Sequence, residues 1–194
     1  MRGSCRLGSM ALLVLGMVAC GPIQPIGPSS AQGSFSALTY NVHGLPPQIT
    51  GDDTSGRMEL IAPLLNDFDL IGLQEDFDDS NHEVLVAEAD HETKRRFAEL
   101  FTSDRVYGSG LSLLARSREV DFLHEHYLDC AGVLDGASDC LASKGFQAIR
   151  LELAPGVTVD VYNSHLEAGG SVEDNAARRG HVDQLLAAMN GWSE

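Results

Sequence analysis

The chain has 194 residues, 43% of them hydrophobic and 21% charged, enough apolar side chain for one domain with a sizeable core and no sign of a low-complexity chain. Thirteen Lys and Arg stand against 28 Asp and Glu, a formal net charge of −15. A surface of that sign repels phosphate backbones, so non-specific nucleic-acid binding is disfavoured while cation binding is not.

Residues 1–19 read as a secretory signal, in which Arg2 and Arg6 precede the apolar run Met10 to Ala19, too short for a comfortable membrane span. Its removal takes away two arginines and no acid, leaving −17. The signal ends in "GMVAC", which resembles the lipobox of bacterial lipoproteins. That resemblance implies an exported lipoprotein acylated on Cys20 and anchored by its lipids rather than by a helix. Residues 20–34, "CGPIQPIGPSSAQGS", have the Pro, Gly and Ser content of a flexible tether, and the ordered domain is expected over 35–194. With Cys5 inside the signal, Cys130 and Cys140 form the remaining pair of the domain. In an oxidising compartment a disulfide closing "CAGVLDGASDC" is expected in preference to a metal or redox site.

Along the domain, Phe35 to Val42 predicts a strand, Arg57 to Asn66 a helix with Met58, Ile61, Leu64 and Leu65 on one stripe, and Asp69 to Gln74 a buried strand. "NHEVLVAEADHETKRRFAELF" reads as helical in pieces. From Ser109 the pattern turns strand-rich: "SGLSLLAR", Val120 to Tyr127, the cysteine loop, Gly145 to Leu153, a Pro155-Gly156 turn, then Val157 to Leu166. A last helix starts at Ser171, with Asp174 three residues on as in a capping box, and carries Val182, Leu185, Leu186 and Met189 at helical spacing.

Three chemistry-bearing positions fall at strand ends. Asn41 and His43 stand where "LTYNVHGLP" leaves its strand at Gly44, and Glu75 ends an apolar strand with Asp76 and Asp78 close behind. Alternation in "VTVDVYNSHLE" puts Val157, Val159, Val161, Asn163 and His165 on one face, an apolar face that turns polar at its end. A shared sheet edge would bring Asn41, Glu75 and His165 together. His124 and His126 have the spacing of a metal pair but no third ligand, so a polar strand face is expected there. "GSGLS" lacks the order of a nucleophile elbow, and Ser164 faces away from His165 across its strand, which argues against a serine hydrolase.

Taken in order, "LTYNVHGLP", "DLIGLQED", "SGLSLLAR" and "VDVYNSHLEAG" resemble successive strands of the endonuclease/exonuclease/phosphatase superfamily, the DNase I-like proteins. "GASDCLASKGF" and "YNSHLEAG" are most similar to its bacterial neutral sphingomyelinase-like branch. The resemblance implies an α+β fold, a four-layer α/β/β/α sandwich of which the N-terminal part is present, and phosphodiester hydrolysis dependent on Mg²⁺ or another divalent cation; a monomer is expected. Carried over by position, Asn41 and Glu75 become metal-side residues and His165 a catalytic histidine. Read from the residues themselves, Asn163 either orients that histidine or satisfies backbone groups, and Lys144 is either a contact for an anionic head group or part of a Lys-Gly surface turn. One carboxylate with waters and phosphate oxygens suits Mg²⁺, and an imidazole can pass a proton to a leaving oxygen. His43 stays unassigned.

Family members continue past the last helix into a strand ending in Gly-Asp-x-Asn and close with an Asp-His pair, and neither motif follows the last helix in these 194 residues. The expectation is therefore a truncated domain with impaired activity. Three readings follow: a lipid phosphodiesterase of the sphingomyelinase kind, a secreted nuclease or phosphatase of the same fold, and a non-catalytic surface-anchored binding module. The acidic charge and lipobox favour the first.

Overall fold

A computed structural model describes residues 32–132 and 139–193, so the expected signal and Cys20 anchor lie outside the described residues. The domain is α+β with two sheets. β1 (Ala37–Asn41) pairs in parallel with β2 (Leu70–Gln74), Ala37 opposite Leu70 through to Asn41 opposite Gln74. Parallel neighbours need a crossover. It is supplied by a short helix α1 (Pro47–Thr50), by α2 (Thr54–Ile61) and by a 3₁₀ turn over Ala62–Asp67. Asp53 caps α2 by accepting from the Gly56 N–H, so the helix begins at Thr54, three residues before the predicted start. The helix tightens at Ala62 because Pro63 has no N–H to offer the carbonyl one turn back.

The stretch read as helical in pieces divides. α3 (Asp79–Val86) is capped by Asp78, but "TKRRF" forms the strand β3 (Thr93–Phe97), antiparallel to β4 (Leu111–Ala115). Its long polar residues favour helix in isolation; pairing with the wholly buried β4 overrides that preference, while Arg95 reaches Glu119 and Arg96 reaches Asp79 at 2.6 Å. The first sheet runs β1-β2-β4-β3.

A second, antiparallel sheet has the order β5-β6-β7, from β5 (Arg118–His126), β6 (Gly145–Ala154) and β7 (Val157–Ser164). Leu70, Leu113 and Ala115 of the first sheet meet Ile149 and Leu151 of the second, with Phe122, Val159 and Val161 packed around them. On the other face of the first sheet, Met58, Ile61, Leu65 and Leu85 cover Ile71, Leu73 and Leu114. α4 (Val172–Trp192) begins with the expected Ser171–Asp174 capping box and lies against the second sheet, where Arg150 and Tyr162 meet Trp192. Its buried residues are Asp174, Ala177 and His181, whereas Val182 and Leu186 of the predicted stripe stay exposed. His181 explains the shift: it stacks on Tyr127 with ring centroids 4.0 Å apart and bonds the Asp129 carbonyl, turning that side of α4 inward. No helix among the described residues is long and apolar enough to cross a membrane.

Cys130 and Cys140 are bonded, ten residues apart, and the Arg105 guanidinium lies 3.3 Å from Cys130 Sγ while donating to the Cys140 carbonyl. Reduction should lower stability by about 2 to 3 kcal/mol, the chain-entropy value for so short a loop, and loosen the loop without unfolding the domain. Non-reducing peptide mapping of protein purified without reductant should find the pair linked; two free thiols would contradict it.

Candidate active site

Because β1 and β2 are parallel and in register, both leave the sheet at one level, and the residues that follow meet. Val42 N–H bonds the Gln74 carbonyl at 2.9 Å, and Gly44 N–H bonds the Glu75 carbonyl at 2.8 Å. A Cβ on Gly44 would stand 2.8 Å from that carbonyl oxygen, so the close approach requires glycine. Two residues here hold left-handed backbone without being glycine: His43 at φ 49° and Glu75 at φ 60°. Such backbone costs an L-residue about 1 to 2 kcal/mol, so the neighbouring contacts must enforce it.

The enforced conformation turns Glu75 toward its neighbours. Asn41 Nδ2 donates to Glu75 Oε1 at 2.7 Å, and His43 Nδ1 lies 3.2 Å from Oε2. His165, just past the end of β7, brings Nε2 to 3.8 Å from Oε1. Asn41, Glu75 and His165 are thus at one sheet end, and the unassigned His43 is with them.

What carries β7 to β2 across the sandwich is Asn163, only 5% exposed. Both its amide N–H groups are used, on the Leu73 carbonyl at 2.9 Å and the Ser112 carbonyl at 3.1 Å, and its Oδ1 accepts from Gln74 Nε2 at 2.7 Å. Gly72 admits this contact, since a Cβ there would stand 3.1 Å from Asn163 Oδ1. Asn163 is a strut between the sheets, two residues before His165, and Gln74 precedes Glu75. Asn163→Ala removes these three bonds from the Leu73 and Ser112 carbonyls and from Gln74, which keeps Thr39 Oγ1 and the Gly72 carbonyl as acceptors, so stability should fall by about 3 kcal/mol in urea unfolding. A loss below about 1 kcal/mol would show that the strut does not hold the sheets.

Lys144 does not face outward as a head-group contact would. It is 5% exposed, and its Nζ donates to the Leu166 carbonyl at 2.9 Å, which fixes the turn following His165. Asp76 and Asp78 also leave the site: Asp76 is 1% exposed, bonded by Ser112 Oγ at 2.6 Å and His82 Nδ1 at 2.5 Å, and Asp78 caps α3. His124 stacks on Phe97 and His126 packs tilted against the same ring, both with ring centroids 4.4 Å away, and His126 Nδ1 bonds the Ser143 carbonyl; burial lowers the His126 pKa below the usual imidazole value. Ser164 is bonded to Tyr127, whose hydroxyl burial pushes up to about 12, on the strand face opposite Asn163.

Sequence reasoning passed over Gln74 and Arg57, whose Nη1 donates to the His43 carbonyl at 2.9 Å. Nothing in their spacing distinguishes them from surface polar residues. His43 did carry a signal, two residues after Asn41 and immediately before a glycine.

Among the described residues no group of three or more His, Cys, Asp or Glu is arranged to hold a metal ion. The donor set is instead one carboxylate with amide and imidazole neighbours. It fits an ion that takes one protein carboxylate and fills its remaining positions with water and phosphate oxygens, as Mg²⁺ does.

No family model matches the chain. The sphingomyelinase of Mycobacterium tuberculosis (strain ATCC 25618 / H37Rv) is 30% identical over 149 aligned residues, the match covering 74% of this chain and 29% of that protein. The chain therefore spans less than a third of the length of the curated relatives it matches. A beta toxin structure from Staphylococcus aureus with bound magnesium ions superposes with a TM-score of 0.70 at 14% identity, covering 82% of this chain and 60% of that one. An endonuclease/exonuclease/phosphatase from Beutenbergia cavernae DSM 12333 superposes at 0.50 with 17% identity, over 77% of this chain and 43% of that one. These likenesses show a shared fold.

Proposed function

On the premise that this chain is a relative of the sphingomyelinases with the endonuclease/exonuclease/phosphatase fold, we propose that it is a cation-dependent phosphodiesterase acting on a sphingomyelin-type lipid. The observation that carries this reading is the convergence of Asn41 and His165 on Glu75, at 2.7 and 3.8 Å. Glu75 would hold Mg²⁺ and Asn41 would orient the carboxylate without adding charge. The bound ion supplies polarisation of the phosphoryl oxygen and offsets charge developing in an in-line displacement.

His165 has the position and chemistry of a proton donor. As a water oxygen bonds to phosphorus and the bond to the leaving alcohol breaks, His165 in its protonated form would give its proton to the departing oxygen, and the proton shed by the attacking water would pass to solvent. Lys144, through the Leu166 carbonyl, and Asn163, through the Leu73 and Ser112 carbonyls, hold the backbone on either side of that histidine. Acylation of Cys20 would place this acidic domain beside a lipid surface, where a nucleic acid would be repelled.

The test is a parallel assay on sphingomyelin vesicles, DNA and bis(p-nitrophenyl) phosphate, with Mg²⁺ or excess EDTA. Phosphocholine release that EDTA abolishes, with DNA intact, is the expected result. DNA cleavage without lipid cleavage would transfer the site to a nuclease, and indifference to EDTA would remove the cation from the mechanism.

A further inference from the structure

We propose that His43 is the residue that sets which metal the site takes: its imidazole Nδ1 joins Glu75 as a ligand, so that Mn²⁺ is preferred over Mg²⁺. The proposal rests on the reading above only for the presence of a cation at Glu75. Its first support is backbone. His43 and Glu75 are the two non-glycine residues with left-handed φ among the described residues, and they face each other. Three bonds enforce that pairing: His43 N–H to Asn41 Oδ1 at 2.9 Å, Arg57 Nη1 to the His43 carbonyl at 2.9 Å, and Gly44 N–H to the Glu75 carbonyl at 2.8 Å.

A merely structural histidine gains little from this arrangement. Its side chain is 56% exposed, where an ion pair with Glu75 is screened by water and contributes little. A turn that only needed left-handed backbone is served better by glycine, which adopts it without steric cost. What the conformation does achieve is to bring an imidazole nitrogen beside a carboxylate oxygen at the site.

Distance is the second support. His43 Nδ1 and Glu75 Oε2 are 3.2 Å apart. Adjacent donors on an octahedral ion with bonds of about 2.1 Å lie roughly 3 Å apart, so the pair can receive one ion between them with little movement. Donor chemistry then sets the preference. Carboxylate, carbonyl and water suit Mg²⁺ and Mn²⁺ alike, whereas an imidazole nitrogen adds affinity for the transition ion.

Mn²⁺ titration of the full chain followed by electron paramagnetic resonance, with Mg²⁺ measured by competition, tests this directly. The wild type should bind Mn²⁺ at least about tenfold more tightly than Mg²⁺ and show nitrogen-14 modulation in the spin echo. His43→Asn keeps a residue that tolerates left-handed backbone but removes the imidazole. It should lose about tenfold in Mn²⁺ affinity and most of the modulation, with Mg²⁺ affinity changed less than about threefold. His165→Ala should retain the modulation, which assigns the nitrogen to His43. Thermal melts of His43→Asn and His43→Gly establish that both fold. Unchanged Mn²⁺ affinity and modulation in the folded His43 variants, while Glu75→Gln abolishes binding, would overturn the role of His43 and leave the cation site standing. A wild type that binds no Mn²⁺ would overturn both.

Discussion

Glu75→Gln should weaken Mg²⁺ binding by at least about tenfold and lower phosphodiester turnover by about 10² to 10³, the equivalent of several kcal/mol of lost charge stabilisation. The substitution keeps the shape of the side chain and lets Asn41 Nδ2 still donate to an Oε1 atom, so the 2.7 Å contact that fixes its direction survives. The charge is lost, and the Oε2 acceptor facing His43 becomes an amide donor. Because Asp76 is turned inward on Ser112 and His82 and Asp78 caps α3, neither neighbouring acid is placed to replace it. Isothermal titration with Mg²⁺, beside rates on the substrate cleaved by the parent, checks both halves. Unaltered affinity and rate would remove Glu75 from the site.

His165→Ala should behave differently, with turnover falling by about 10² to 10⁴ and Mg²⁺ affinity nearly unchanged. The separation follows from position: His165 Nε2 stands 3.8 Å from Glu75 Oε1, near enough to share a substrate oxygen, whereas Asn41 bonds that carboxylate directly. A drop in Mg²⁺ affinity equal to that of Glu75→Gln would make His165 a ligand rather than a proton donor. Wild-type turnover would remove it from the chemistry altogether.

Much of this site was legible because it lies at strand ends, where period-two patterning is strongest. Alternation placed Val159, Val161 and Asn163 on one face, and the structure puts the two valines in the inter-sheet core and Asn163 between the sheets. The parallel pairing that makes Asn41 and Glu75 neighbours left no such local mark, since register is a property of two strands. "TKRRF" was misleading for the converse reason: its composition is helical and its pairing with β4 is not local. Lys144 reads as a head-group contact or a surface turn, and Asp78 as one more acid behind Glu75, because a sequence does not disclose that a lysine will be buried against the Leu166 carbonyl or an acid spent on a helix cap. Nor does composition announce left-handed backbone at His43 and Glu75, which two strands and a glycine impose together.

The claim on which the account depends is that Asn41, His43, Glu75 and His165 surround one cation position at the end of the sheets. It is tested most directly by adding substoichiometric Mn²⁺ while following the ring resonances of the seven histidines by nuclear magnetic resonance. Paramagnetic broadening should appear first at His43 and His165 and spare His91, His124, His126 and His181, which are held elsewhere by Phe68, Phe97, Ser143 and Tyr127. Glu75→Gln should abolish that selectivity. Broadening that begins at any of those four histidines, or that persists unchanged at His43 and His165 in Glu75→Gln, would contradict the shared site.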